Sequence, residues 1–413
     1  MPEYGNGGAL VSTSQNYVNA YTGEAQAFDQ KNTMTPQMKT YYNTEALENA
    51  RAKLVYAQFG KRQPLPANHG TSIEWRKPNT FGDVQKLTEG VIPVGKKFGY
   101  SSIQADVYEY GDYAAVTSRL KLHAIDPVML DMTEELSGAG SNSLDKLVRN
   151  EVMTGSVVIY APSGSTDVTS RAGLGKSCTL TPDLVARART KLVKMNAPTI
   201  NGKYIAIIHP SVAYDLRKST DWLDAHKYAS PEEIYNGEIG ELHGVRFVET
   251  TNAKIFRGEN LAGDTRNLQL SAAASAAKTV SFDGGTVAAD ALIGRYVIIG
   301  GTRAKVTDNT TTQLTLDTAV TASDNDPIYP GEGGKDGCAV YGCIFLGKDA
   351  YGVVDVEGGG MEMIHKTPEE IGGPLNQFGT VGVHFETATK ILYEERMVRV
   401  ECGSAYSDVD EAN

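Results

Sequence analysis

Apolar and polar positions alternate at both ends of the stretch from Thr71 to Tyr110, and the alternation stops in between. Ile73 and Trp75 alternate with Ser72, Glu74 and Arg76, and Ile103, Ala105 and Val107 alternate with Gln104, Asp106 and Tyr108. Each end therefore predicts a strand with one apolar face. The connection carries Lys77, Asp83, Lys86, Glu89, Lys96 and Lys97 around Gly82, Gly90 and Gly95. It runs to about two dozen residues, where hairpin loops ordinarily hold about 2–5. A loop so long and so polar is functional or disordered.

Helical spacing lies on both sides of this hairpin. From Thr44, the positions Leu47, Ala50, Leu54 and Ala57 fall three and four apart, with Gly60 as the stop and Pro64 and Pro66 beyond it. After it, Asp126 reads as an N-cap before Pro127, and Val128, Met132 and Leu136 continue one face. Gly138-Ala-Gly-Ser interrupts that face before Leu144, Leu147, Val148 and Val152 resume it, which predicts one kinked helix or two nearly continuous ones over about 25 residues. Thr181-Pro-Asp caps a further helix whose stripe is Leu184, Ala188, Leu192 and Met195. Lys203–His209 is a continuous apolar run of the kind buried on both faces, and Pro210-Ser211 starts a short helix. Further strands are expected at 244–250, 340–346 and 352–356, so helices and strands interleave in a mixed α+β or α/β domain.

Two stretches depart from this pattern. Residues 1–40 are rich in Gly, Ser, Asn, Thr and Gln with few large aliphatics, and read as an extended arm without its own core. Between about Leu261 and Lys335 there is no Met, Cys, His or Trp, while Thr, Ala, Gly and Asp abound. Short β-type runs at Leu268–Leu270, Thr279–Phe282, Tyr296–Ile299, Ala304–Thr307 and Gln313–Leu316 predict a small all-β domain inserted in a loop. Thr307-Asp-Asn-Thr reads as its tight hairpin turn.

Composition narrows the class. At 413 residues, 22% charged and 41% hydrophobic, the chain fits a globular protein of two or three domains. Met1–Ser14 lacks the basic start and apolar stretch of a secretory signal, and the longest apolar runs are strand-sized, so a soluble, cytoplasmically made protein with no membrane partner is expected. A net charge of −11 argues against tight binding of nucleic acid, because phosphate contacts rely on clustered Lys and Arg. Cys178, Cys338, Cys343 and Cys402 form no C-x-x-C pair and read as reduced thiols. Cys338 and Cys343, five apart, would face opposite sides of one strand, so buried small apolar residues outweigh a joint metal site and no zinc is implied.

No pattern commits to catalysis. Gly175-Lys-Ser lacks the glycine five positions earlier that a phosphate loop needs, since Ser170 stands there. The seven histidines, His69, His123, His209, His226, His243, His365 and His384, include no H-E-x-x-H and no close pair, and there is no G-x-S-x-G elbow. The neighbours Glu134-Glu135, Glu232-Glu233 and Glu369-Glu370 cannot face one another across a substrate on a helix. No enzyme activity, cofactor or metal is expected.

The sequence resembles the major capsid proteins of tailed bacteriophages, whose fold is shared with herpesvirus shell proteins. The likeness is strongest in Ile208-His-Pro-Ser-Val-Ala-Tyr-Asp-Leu-Arg, in Gly237-Glu-Ile-Gly-Glu-Leu-His-Gly-Val-Arg-Phe-Val-Glu-Thr and in Pro374-Leu-Asn-Gln-Phe-Gly-Thr-Val-Gly, and extends from about Tyr41 to Ser404 outside the insertion. The resemblance implies an α+β capsid fold divided into an arm (1–40), a helix and connection (41–70), an extended hairpin loop (71–110) and a peripheral domain with a spine helix (111–180). An axial domain (181–260 and 336–375), interrupted by the β insertion (261–335), and closing peripheral strands (376–413) complete it. It implies self-assembly into hexamers and pentamers of an icosahedral head in the host cytoplasm, around double-stranded DNA contacted weakly and without sequence specificity. Scaffolding, portal or decoration proteins are the further partners it implies, and any scaffold is expected as a separate chain. The hairpin would lie over a neighbouring subunit through Trp75, Arg76, Lys77, Asp83, Lys86, Glu89, Lys96, Lys97, Tyr108 and Tyr110. The axial domain would meet its copies at the capsomer centre through Glu232, Glu233, Tyr235 and Glu238. The insertion is expected on the outer face. Two rivals stand beside this reading: an encapsulin-like bacterial compartment shell, and a soluble α/β enzyme with residues 77–100 as a lid.

Overall fold

The structure is a computed structural model that describes residues 16–18, 25–27, 55–66, 70–79, 81–84, 86–87, 89, 95–117, 120, 128–219, 222, 240–263, 265–356, 361–371 and 377–413. The chain divides into two units: Met1–Ala50 with Asp112–Leu136 and Met363–Val383, and a larger one of Arg51–Gly111, Ser137–Glu362 and His384–Asn413. In the smaller unit, Asn16–Val18 pairs antiparallel with Ala25–Ala27 in the stretch read as an arm. The bulk of the helix expected from Thr44, with Leu47, Ala50 and Leu54, lies outside the described residues. Its end is helical at Tyr56–Phe59 and stops at Gly60. The expected cap Asp126 also lies outside them.

The larger unit is organised on a sheet ordered Val158–Tyr160, Met397–Cys402, Val340–Leu346, Tyr204–Ile208, Val245–Glu249 and Glu241–Leu242. Tyr204–Ile208 runs parallel to Val245–Glu249 and antiparallel to Val340–Leu346. Its continuous apolar run follows from cover on both faces. Tyr204, Ala206 and Ile208 join Tyr341, Cys343 and Phe345 under the helices Pro182–Lys194 and Pro210–Lys218, while Ile205, Ile207, Ile344 and Leu346 turn to Val148 and Val152 of the long helix. Burying one such Ile or Leu contributes about 1.5–3 kcal/mol. Thr181 Oγ1 accepts from the Leu184 amide at 3.3 Å as the first helix's cap, and His209 Nδ1 accepts from Ser211 N at 3.2 Å at the second.

The long helix runs unbroken from Val128 to Val152, 25 residues, through Gly138-Ala-Gly140. Glycine there lowers propensity without removing a backbone donor, so no kink is forced. Asp145, 1% exposed on this helix, accepts from the amides of Val55, Tyr56 and Ala57 at 3.1, 2.8 and 3.3 Å, capping the short helix Tyr56–Phe59 from outside. Met397–Cys402, read from sequence with the closing peripheral strands, stands in the main sheet. It pairs with Val340–Leu346, and its near-continuous burial fits a sheet covered on both faces. A second sheet pairs Tyr351–Val356 antiparallel with the end of Phe378–Ile391 and parallel with Lys61–Leu65.

Residues between Leu268 and Pro330 form a closed six-stranded barrel in the order Leu268–Leu270, Ala274–Asp283, Gln313–Ala322, Thr302–Asn309, Tyr296–Ile299 and Pro327–Pro330. It has its own core, including Leu270, Phe282, Val297, Ile299, Val306, Leu314 and Ile328. Asn309, read as a turn residue, is 2% exposed and pins a loop instead, accepting from Leu292 N at 2.8 Å and donating to Ala288 O at 2.9 Å. The chain leaves the main sheet at Ile255–Phe256 and returns at Val340, and these two strands pair directly, Phe256 opposite Val340. Ends that are hydrogen-bonded neighbours let a domain occupy a loop without disturbing the sheet beneath it.

Candidate assembly surface

Strands Ser72–Pro78 and Tyr100–Asp106 pair antiparallel in unbroken register, from Ser72 opposite Asp106 to Pro78 opposite Tyr100. The hairpin is anchored at its base. Ile73, Trp75 and Ala105 pack against Leu65, Val354, Ala388 and Leu392. The Trp75 indole lies over Gly352, where a Cβ would come within 2.9 Å of its ring. Trp75, expected to contact a neighbour, is thus 9% exposed and already covered by its own chain. Its place at the start of the hairpin, two residues after another inward position, makes it a foot of the loop. Lys77 extends the anchor, with its Nζ 4.4 Å from the Tyr393 ring centroid and 3.4 Å from Glu395 Oε2.

Beyond Pro78 the loop has a shape of its own. Asn79 N donates to Gly99 O at 2.9 Å, and Lys96 Nζ donates to the carbonyls of Gly82 and Asp83 at 2.8 and 2.6 Å, clasping one arm to the other. The Phe98 ring lies 5.5 Å from Phe81 and meets Tyr100 edge-on at 4.8 Å. These contacts leave Phe81, Val84, Leu87, Phe98 and Tyr100 between 53% and 96% exposed. Arg76, Asp83, Lys86, Glu89, Lys96 and Lys97 are exposed beside them. Tyr108 is exposed, while Tyr110 is half-buried and stacks on Phe385 at 5.6 Å. Sequence reading dwelt on the loop's charges and missed this apolar group, although Phe81, Val84 and Leu87 recur every third residue. Glu232, Glu233, Tyr235 and Glu238 lie outside the described residues.

No arrangement of catalytic type competes with this surface among the described residues. A cavity of about 390 Å³ is lined by Phe59, Ile200, Asn201, Lys203, Ile205, Glu241 and Arg246, and its Lys203 and Glu241 pair with each other. Among the described residues no three His, Cys, Asp or Glu side chains are grouped to hold a metal. Burial lowers the His209 pKa against the opposing pull of Asp410, and His384 pairs instead with Glu109 at 2.8 Å. Lys176 of the Gly175-Lys-Ser stretch reaches Asp408 at 3.4 Å. Cys338 precedes the strand Val340–Leu346, so it does not share that strand with Cys343 as the five-residue spacing suggested. Cys343 lies instead 3.9 Å from Cys402, thiol to thiol, in the core.

A family model described as phage capsid protein matches residues 123–334. The chain belongs to that family. As a phage capsid protein it is a structural component of the virion and a subunit of the phage head. Solved structures agree on the fold. The capsid of Ralstonia phage GP4 aligns over 92% of this chain and 98% of its own at 12% identity, with a TM-score of 0.56. The capsid asymmetric unit of cyanophage Pam1 aligns over 90% and 98% at 11% identity and 0.56, and the acid-stable capsid of Helicobacter pylori bacteriophage KHP30 over 91% and 96% at 8% identity and 0.55. No curated protein matches the chain in sequence.

Proposed function

We propose that this capsid protein is the major shell subunit of a tailed phage, assembling into hexamers and pentamers of an icosahedral head around double-stranded DNA, with the hairpin tip as the principal clamp on a neighbouring copy. The observation that carries this reading is the exposed group of Phe81, Val84, Leu87, Phe98 and Tyr100 on a loop whose base is locked into its own subunit. Several large apolar side chains left exposed on one loop mark a surface meant to be covered. Charges of both signs around it, Asp83 and Glu89 with Lys86 and Lys97, suit a polar rim that fixes register. The net charge of −11 suits a container that holds its DNA loosely, and scaffolding, portal and decoration proteins are the further partners of such a shell.

Negative-stain electron microscopy with mass determination on the purified chain tests this. Closed shells, tubes or rings of five or six are expected, and a chain that stays monomeric both alone and co-expressed with the phage's other head proteins would overturn the reading. The barrel at Leu268–Pro330 is assigned to the outer face, because an inserted domain with paired ends is accommodated where nothing has to tile against its far side. Antibodies raised against the barrel are expected to decorate intact particles; binding only after disruption would place it elsewhere.

A further inference from the structure

The barrel is joined to the main sheet by two crossings, Arg257–Asn267 outward and Gly331–Ala339 back. A domain held by two connecting segments swings unless those segments are themselves bound. Gly403–Asn413, which follows the sheet strand Met397–Cys402, carries Asp408, Asp410 and Glu411 and runs across both crossings. Its start is fixed to the sheet and its helices: Gly403 N donates to Cys178 O at 2.8 Å, Ser404 Oγ to Ser211 O at 3.0 Å, and Ala405 N to Asp215 Oδ2 at 2.9 Å. Asp410 then sits among hydroxyls. Tyr341 and Ser211 donate to Oδ2 at 2.7 and 3.0 Å, and Ser407 donates to Oδ1 at 2.5 Å. Burial pushes the Asp410 carboxyl up, but these hydrogen bonds outweigh burial and hold it below its ordinary range, so it stays ionised.

On either side of Asp410 the segment also holds the crossings. On the return side, Ala339 N donates to Asp408 O at 2.9 Å. On the outward side, Arg257 holds the Val409 carbonyl and lies 3.0 Å from Glu411 Oε1, while Arg266 pairs with Glu411 Oε2 and bonds the Gly258 carbonyl. Asn413 closes the run just before the crossing begins. Its Oδ1 accepts from Ile255 N at 3.0 Å, its Nδ2 donates to Ala253 O at 2.8 Å, and its carbonyl is held by Lys254 and by Arg149 at 3.0 Å. From the far side, Arg295 of the barrel donates to the carbonyls of Glu259 and Asn260, each at 2.9 Å. An unbroken chain of polar contacts therefore runs from the sheet through the acidic segment and the crossing to the barrel.

We propose that Ala405–Asn413 is an acidic strap, and that Arg257 and Arg266 form the seat through which it fixes the attitude of the barrel on the sheet. Arg257 and Arg266 are 13% and 18% exposed at the side chain, whereas Glu411 is 73% exposed, so the seat is built in and the carboxylate is laid upon it. A strapped barrel presents the same face from every copy in a shell; an unstrapped one samples many. The inference does not depend on assembly, and it stands or falls on the single chain.

Hydrogen exchange on the full-length chain, read by mass spectrometry, tests it. In Glu411→Arg and in Arg266→Glu, amides of the strap and of both crossings are expected to exchange about tenfold faster or more, while the barrel strands, held by their own core, keep their protection. Combining the two changes restores one of the two Glu411 pairs with its charges exchanged, but sets the new guanidinium beside Arg257 and takes the donor from the Gly258 carbonyl, so the crossings are expected to return only part of the way toward the parent rate. Faster exchange confined to the strap, with the crossings unmoved, would overturn the proposal. So would loss of protection in the barrel strands together with the crossings, which would make the crossings part of the barrel's own cooperative unit. If either variant misfolds, the parent protein gives the same reading in salt. Raising NaCl from about 0.05 to 1 M screens the exposed Glu411 contacts and is expected to loosen strap and crossings together; crossings indifferent to salt would count against the strap.

Discussion

Deleting residues 79–97 is expected to yield a chain that folds and forms no shells. The cut joins Pro78 to Phe98 and leaves Phe98-Gly99 to turn between strands that end at Pro78 and begin at Tyr100. Two residues make the commonest hairpin turn, so the register of Ser72–Pro78 on Tyr100–Asp106 survives. The foot of the hairpin is untouched, because Ile73, Trp75 and Ala105 pack on Leu65, Val354, Ala388 and Leu392. What disappears is Phe81, Val84 and Leu87, together with Asp83, Lys86, Glu89, Lys96 and Lys97. Burying each of the three apolar side chains against a neighbour is worth about 1.5–3 kcal/mol, and each subunit of a shell would lose that contact. The circular dichroism spectrum and urea midpoint should stay at parent values, while sedimentation and microscopy show only unassembled protein. Intact particles from the deletion would sink the clamp.

The division between what stays and what is lost in that deletion also marks where sequence pattern ceases to inform. Alternation gave both hairpin strands, and the doubly covered Tyr204–Ile208 announced itself by an unbroken apolar run, because a face buried within one element leaves a local period. Five of the six barrel strands were legible for the same reason. The closing strand Pro327–Pro330 was not, since proline at both ends argues against a strand unless the missing donors fall where no partner needs them. Pro64 hid Lys61–Leu65 likewise, and that strand's parallel partner lies far along the chain at Gly352–Val356. The capsid identity came from resemblance, not from period. The apolar group was hidden by its setting: Phe81, Val84 and Leu87 recur every third residue inside a charged loop, and a short spacing of that kind reads like any buried face, so only their exposure, 53% for Phe81 and 96% for Val84, separates them from ordinary core positions.

Glu401→Ala is expected to cost about 3–5 kcal/mol. Glu401 is 0% exposed on the strand Met397–Cys402 and holds Arg171 in a two-pronged contact, Nε to Oε2 at 2.7 Å and Nη2 to Oε1 at 2.6 Å. Arg399 Nε lies 3.0 Å from the same Oε1 without hydrogen-bond alignment, an ionic contact added to the fork. The carboxylate therefore answers two guanidiniums that are 22% and 13% exposed. Burial lowers the Arg399 pKa and Glu401 opposes that, so removing Glu401 leaves Arg399 a buried cation without its counter-charge. Arg171 has a second engagement, its guanidinium 3.6 Å over the Phe256 ring at the foot of the barrel crossing, and without the carboxylate its stacking there loses its orientation. Glu401→Gln keeps the shape and one acceptor oxygen and should fall between parent and alanine. Urea unfolding of the unassembled chain measures both: a lower midpoint at unchanged slope is the expected result. A loss under about 1 kcal/mol for alanine would mean that water reaches both guanidiniums as readily as Glu401 does, and that the ion pair orders the sheet edge without holding it together.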